Sequence, residues 1–117
     1  MRTYPQSSQI IERNRRSIPG GMFSLNRETD PALVFVKGEG ALLWDAEGNR
    51  YIDYHAAFAP FLLGHNDPRV NAAVERTLRD GSSLYGVNTT DLEGELAELI
   101  RNSVPFADLV CVLNSGR

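Results

Sequence analysis

Lys37-Gly38-Glu39-Gly40-Ala41-Leu42-Leu43-Trp44-Asp45, taken up again after Ala46-Glu47 by Gly48-Asn49-Arg50-Tyr51-Ile52-Asp53, decides the fold. Leu33 to Lys37, Ala41 to Trp44 and Arg50 to Asp53 are short β-prone runs. The breaks between them, Gly38-Glu39-Gly40 and Asp45-Ala46-Glu47-Gly48-Asn49, are turn chemistry: glycine supplies positive φ, and Asp45 can bond its own backbone two residues on. Three strands joined by two tight turns predict an antiparallel meander.

Upstream, Ser7-Ser8 followed by Ile10, Ile11 and Asn14 predicts a short capped helix over 8–17, which Pro19-Gly20-Gly21 ends. Residues 22–32 have no clear period and read as a connector. Downstream, Tyr54 to Leu63 is apolar and aromatic without alternation, and Gly64-His65-Asn66 turns the chain. Asp67-Pro68 then reads as an N-cap with proline at the first helical position. Val70, Ala73, Val74, Thr77 and Leu78 form the predicted buried stripe, and Gly81 the C-terminal stop.

Thr90-Asp91-Leu92-Glu93 is a capping box, and Leu92, Leu96, Leu99 and Ile100 are the stripe expected to be buried before Pro105. Ser82 to Thr89 reads as a polar turn. The final run Leu109-Val110-Cys111-Val112-Leu113 predicts a core strand that opens into Asn114-Ser115-Gly116. A strand running into a small-residue turn is where α/β proteins place the helix N-terminus that grips a phosphate. The order of elements predicts two parts of a larger α/β protein, cut after Arg117, because one terminal strand leaves its backbone groups unpaired.

With 117 residues, 42% hydrophobic and 23% charged, the composition is that of an ordinary globular chain. The net charge of −3 provides no basic field for nucleic acid or anionic lipid, although Arg2, Arg13, Arg15, Arg16 and Arg27 crowd the first 27 residues. A solvated helix face accounts for that cluster. No apolar run has the length of a membrane span, the N-terminus lacks a signal-peptide centre, and Cys111 has no partner for a disulfide, so a reducing cytoplasm is expected.

His55 and His65 have neither a cysteine partner nor metal-ligand spacing, and Asp53 and Asp67 read as strand end and helix cap, so no metal site is assigned. No serine-nucleophile elbow, Walker loop or dinucleotide fingerprint is present in the sequence. Asp91, Glu93, Glu95 and Glu98 sit on the outer side of an amphipathic helix. Lys37 is the only lysine.

Lys37 to Asp45, Gly48 to Asp53, Leu63-Gly64-His65 with Pro68, and the terminal Asn114-Ser115-Gly116, in this order and spacing, resemble the N-terminal part of the class III aminotransferases. These are pyridoxal-phosphate enzymes of fold type I. Pro19-Gly20-Gly21, Ser24, Arg27 and the stretch Tyr54 to Pro60 resemble in particular the glutamate-1-semialdehyde aminomutase branch and its β-amino-acid transaminase relatives. The resemblance implies an α+β or α/β fragment. Residues 1–64 would be the N-terminal segment with the meander, part of the small domain, and 65–117 the start of the large domain.

It further implies that Ser24 and Arg27 meet a substrate carboxylate, that Phe58 walls the pocket, and that Ser115, Gly116 and Arg117 begin the cofactor phosphate cup. An arginine fork suits a carboxylate. Taken without the resemblance, the same residues read as a loop serine, a solvated charge and a core aromatic. The family continues past its Ser-Gly with threonine, serine or alanine, where this chain has Arg117.

Amino-group transfer in the family runs through a lysine Schiff base, and Lys37, in the meander, matches a structural position. No catalytic residue is therefore assigned, and the 117-residue chain is expected to be inactive by itself. The implied whole is a cytoplasmic homodimer acting on an amino or oxo acid. The alternative is a non-catalytic folding or dimerisation module.

Overall fold

The computed structural model describes residues 2–83 and 85–113. The chain divides into two compact units, Met1–Asp80 and Gly81–Arg117. In the first unit, helix α1 (Pro5–Arg15) precedes a three-stranded sheet of β1 (Phe35–Glu39), β2 (Leu42–Asp45) and β3 (Arg50–Ile52), followed by helix α2 (Pro68–Arg79). The second unit contains helix α3 (Asp91–Ser103).

The sheet is the expected antiparallel meander, in the order β1-β2-β3. Lys37 pairs with Trp44 and Leu43 with Tyr51, while the register slips between Phe35 and Lys37. The β2–β3 turn closes through the Asp45 N–H on the Asn49 carbonyl (3.1 Å) and the Gly48 N–H on the Asp45 carbonyl (3.0 Å).

The Asp45 carboxylate, 1% exposed, accepts from the Asn49 N–H (2.7 Å), the Asn49 side-chain amide (2.9 Å) and the Tyr51 hydroxyl (2.7 Å). Burial pushes its pKa up. The hydrogen bonds from the Asn49 side chain, the Tyr51 hydroxyl and the Asn49 and Glu47 backbone outweigh that and hold it below the ordinary value. Desolvation, with the Asp45 and Tyr4 hydrogen bonds, raises the Tyr51 phenol. The strand pair therefore closes over a polar knot.

Helix α1 starts three residues earlier than the 8–17 expected, and Ser7-Ser8 does not cap it. Pro5 occupies the first turn, where its fixed φ and missing N–H cost nothing, and Tyr4 takes the N-cap position. Ser7 is instead fully buried. Its N–H and hydroxyl donate to the two Glu47 carboxylate oxygens (both 2.7 Å), and its hydroxyl accepts from the Val34 N–H (3.2 Å). That joint staples the helix to the β2–β3 turn. One turn further along the same face, buried Ile11 packs on Gly21, where a Cβ would lie 3.0 Å from its side chain.

The helices α2 and α3 begin where the sequence says. Asp67 accepts from the N–H of Arg69 (2.9 Å) and Val70 (3.4 Å), with Pro68 in the first turn and Gly81 at φ 81° behind the helix. At α3 the capping box forms, the Glu93 carboxylate reaching back to the Thr90 N–H (3.4 Å) and taking the Thr89 hydroxyl. Before it, the Tyr85 hydroxyl donates to the Gly81 carbonyl (3.4 Å).

Burial differs from expectation. Val70, Val74 and Leu78 on α2 and Leu92, Leu96 and Leu99 on α3 are exposed. Helical periodicity names the face that will seek cover; it does not supply the cover. Leu109 to Leu113 form no strand among the described residues, and Cys111 is exposed rather than in a core. A ladder needs a neighbouring strand to receive its N–H and C=O groups, and among the described residues none pairs with this run.

Candidate functional site

The turn between β1 and β2 meets the Leu63-Gly64-His65 corner directly. Gly40 and His65 form an antiparallel bridge, with Gly40 N–H on the His65 carbonyl (2.9 Å) and His65 N–H on the Gly40 carbonyl (2.8 Å). The Asn66 side-chain amide donates to the Gly38 carbonyl (2.7 Å). This approach requires glycine twice. A Cβ on Gly38 would stand 2.8 Å from His65 Cγ, and one on Gly64, at φ 84°, 2.8 Å from the Gly40 backbone.

His65, placed this way, donates from Nε2 to Asp53 Oδ2 (2.6 Å), both side chains being largely covered. Asp53 Oδ1 accepts the N–H of His55 (2.8 Å) and Ala56 (3.1 Å). The His65 hydrogen bond first, then the His55 N–H, hold the Asp53 carboxyl below its ordinary value against the effect of burial, so it is an acceptor only. A cavity of about 160 Å³ lies here, lined by Ala41, Asp53, Ala56, Phe61 and His65 among others.

The chain leaves Asp53 in a left-handed turn. Ala56, Ala57, Phe58 and Ala59 have φ of 48°, 52°, 66° and 76°, and the Ala59 N–H donates to the His55 carbonyl (3.1 Å). Each such residue that is not glycine costs roughly 1–2 kcal/mol. Phe58 sits at its centre. Its N–H donates to His55 Nδ1 (3.0 Å) and its ring meets the His55 imidazole edge to face at 4.2 Å, which requires His55 Nδ1 to be unprotonated.

Of the residues proposed from the sequence, Phe58 is 57% exposed on this turn rather than in a core. Ser24 and Arg27 share a 3₁₀ turn (Leu25–Arg27), where the Arg27 N–H donates to the Ser24 carbonyl (3.0 Å). Ser24 is half-buried and Arg27 exposed, and among the described residues no carboxylate pairs with the Arg27 guanidinium. Neither residue shares a hydrogen bond with Phe58 among the described residues. Ser115, Gly116 and Arg117 lie outside the described residues.

Lys37 is occupied on the sheet surface, its Nζ 2.9 Å from Glu39 and 4.5 Å from the centre of the Trp44 ring. Among the described residues no group of three His, Cys, Asp or Glu side chains could hold a metal ion. Sequence reasoning treated Asp53 as a strand end and His65 as part of a turn, and missed their pairing. The clue was the glycine at 38, 40 and 64, since glycine at several points of a short stretch signals close backbone approach.

Residues 24–117 match the family described as Aminotransferase class-III. The chain belongs to that family. It is 43% identical over 114 residues to the glutamate-1-semialdehyde 2,1-aminomutase of Chloroherpeton thalassium, covering 94% of this chain and 26% of the relative. A β-phenylalanine aminotransferase from Variovorax paradoxus superposes with a TM-score of 0.80 at 36% identity, over 90% of this chain and 24% of that one.

The FumI protein of Sphingopyxis sp. MTA144, solved in its PLP internal aldimine form, superposes with a TM-score of 0.78 at 32% identity, over 91% of this chain and 26% of that one. This class-III aminotransferase chain thus spans about a quarter of the length of the curated relatives it matches. The architecture described above is that of the N-terminal part of these fold type I enzymes.

Proposed function

We propose that this chain is the N-terminal part of a pyridoxal-phosphate-dependent aminotransferase or aminomutase that moves an amino group on, or between, amino and oxo acids. The family match over residues 24–117, with 43% identity to an aminomutase, carries the reading. The cofactor, when bound, supplies the electron sink that stabilises negative charge at the substrate carbon. This chain's own contribution is to the substrate side and to the start of the phosphate cup.

In this reading Arg27 and Ser24 hold a substrate carboxylate, the guanidinium as a planar two-point donor and the hydroxyl as a third. Phe58 forms an apolar wall that orients the substrate and excludes water beside it. Ser115, Gly116 and Arg117 would contribute N–H groups to the cofactor phosphate. Lys37, held by Glu39 and Trp44, is not the cofactor lysine, and no catalytic residue is assigned to the chain.

The complete protein would be a cytoplasmic homodimer, with residues 1–64 contributing to a small domain and 65–117 opening the large one. The test is kinetic. In the complete enzyme Arg27→Ala should raise KM for carboxylate substrates by about 10- to 100-fold with Arg27→Lys in between, because lysine keeps charge but loses the fork. An unchanged KM removes Arg27 from the site. The 117-residue chain with added pyridoxal phosphate should give no transamination and no specific visible absorbance band. A band abolished by Lys37→Ala would overturn the role given to Lys37.

A second reading, as a non-catalytic folding or dimerisation module, is favoured by one observation: the exposed apolar stripes of α2 and α3. It predicts concentration-dependent self-association of the 117-residue chain. A well-behaved monomer on size-exclusion chromatography contradicts it.

A further inference from the structure

Nothing within residues 56–59 themselves favours a left-handed turn, and the one side-chain contact made from inside the turn comes from His55, whose Nδ1 accepts the Phe58 N–H. Three alanines and a phenylalanine carry no side-chain group that could bond the local backbone, as asparagine or aspartate would. Such a conformation persists only where its surroundings over-determine it. The surroundings here form a continuous line of contacts.

At the entry to the turn, one oxygen of Asp53 takes the His55 and Ala56 N–H groups, and the other takes His65 Nε2. His65 is itself fixed on three sides. Its backbone bridges Gly40, its ring lies against Gly38, and Phe61 meets it edge on at 4.9 Å. At the far end the Phe58 N–H and ring both rest on His55. The meander turn therefore reaches Phe58 through His65, Asp53 and His55.

We propose that Asp53 and His65 are positioning residues, which set the Phe58 ring by imposing the left-handed turn, with Gly38 as the seat that admits His65. The functional sense of this rests on reading Phe58 as the substrate-side wall. The network itself does not depend on that reading. A turn that formed by itself would be indifferent to His65 and Gly38.

The experiment is solution NMR of the 117-residue chain, using backbone couplings and chemical shifts that report the sign of φ at Ala56 to Ala59, and the His55–Phe58 ring contacts. Cross-strand contacts of β1, β2 and β3 serve as an internal control. Wild type should show positive φ at all four positions. Asp53→Ala should lose those signals and the ring contact while keeping the cross-strand contacts, and Asp53→Asn, which retains an acceptor oxygen, should restore them.

Gly38→Ala and His65→Gln should displace the same signals from the other end of the line. Absence of positive φ in wild type overturns the proposal, and so do unchanged turn signals in Asp53→Ala. Loss in Asp53→Ala with Gly38→Ala and His65→Gln both silent overturns the part given to His65. If Asp53→Ala loses the sheet as well, the other two variants decide: displaced turn signals with intact cross-strand contacts support the proposal, and unchanged ones overturn it.

Steady-state kinetics of the complete enzyme separate the two layers. Phe58→Ala and Asp53→Ala should both raise KM, by about tenfold or more if a wall has moved, with Asp53→Asn recovering most of it. An unchanged KM in Phe58→Ala, with the turn network confirmed by NMR, fails the reading of Phe58 alone.

Discussion

The meander, with the Gly40–His65 bridge as its clasp, and the helices α2 and α3 are held together in opposite ways. In the first, covered polar side chains find partners remote in sequence, Ser7 with Glu47, forty positions on, and Asp53 with His65, in addition to the local knot of Asp45 with Asn49 and Tyr51. In the helices the stabilising contacts are local, a cap and a first turn, and no residue of either helix is buried. The meander region owes its shape to particular long-range hydrogen bonds, each costly to leave unmade. The helices owe theirs to the backbone, and their apolar faces remain available.

The hardest test of that contrast is Gly64→Ala, which adds a Cβ 2.8 Å from the Gly40 backbone at a positive φ. Strain and overpacking together should cost about 2–5 kcal/mol. Urea unfolding followed by Trp44 fluorescence measures it. A midpoint unchanged from wild type would mean that the clasp adds nothing to the meander.

Next is Ser7→Ala, which deprives the half-buried Val34 N–H of its acceptor and one Glu47 oxygen of its donor. The loss should be about 1–3 kcal/mol in the same unfolding transition. Thr90→Ala should be smaller, about 1 kcal/mol, and confined to α3. It should appear as reduced helical circular dichroism with the meander's unfolding midpoint unmoved; a shift in both would break the separation between the regions.

The mildest effect is the response of α2 to acid. The side chain of Arg69, and the N–H groups of Arg69 and Val70, bring the Asp67 carboxyl from its ordinary 3.8 to about 2, against the effect of burial. The folded cap therefore binds its proton more weakly than the unfolded chain. Its contribution is complete above about pH 4 and fades as the pH falls through about 2. Asp67→Asn should flatten that dependence in a helicity titration while keeping a capping oxygen.

What could be read along the chain follows from the range of the forces involved. The caps at Asp67 and Thr90 and the turn at Asp45 to Asn49 lie within four residues of the groups they bond, so their residue types announce them. Helix α1 was misplaced because Ser7 has two possible partners. Its local one is a helix start; the one it takes, Glu47, is visible only after the β2–β3 turn has formed. Ser24, Arg27 and Phe58 were legible as candidates through resemblance, but the left-handed geometry around Phe58 was not, since alanines carry no mark of it.

The sequence by itself determined the meander, the starts of α2 and α3, and the family, because all of these rest on local backbone preference or on the order of short motifs. Only the tertiary structure decided that His65 closes on Asp53, that Ser7 staples α1 to the sheet, and that Phe58 stands on a left-handed turn. Each of those depends on two segments meeting at hydrogen-bond distance, a condition written in no single stretch of the chain, and at His65 it also needs the clearance that glycine at 38 and 64 provides.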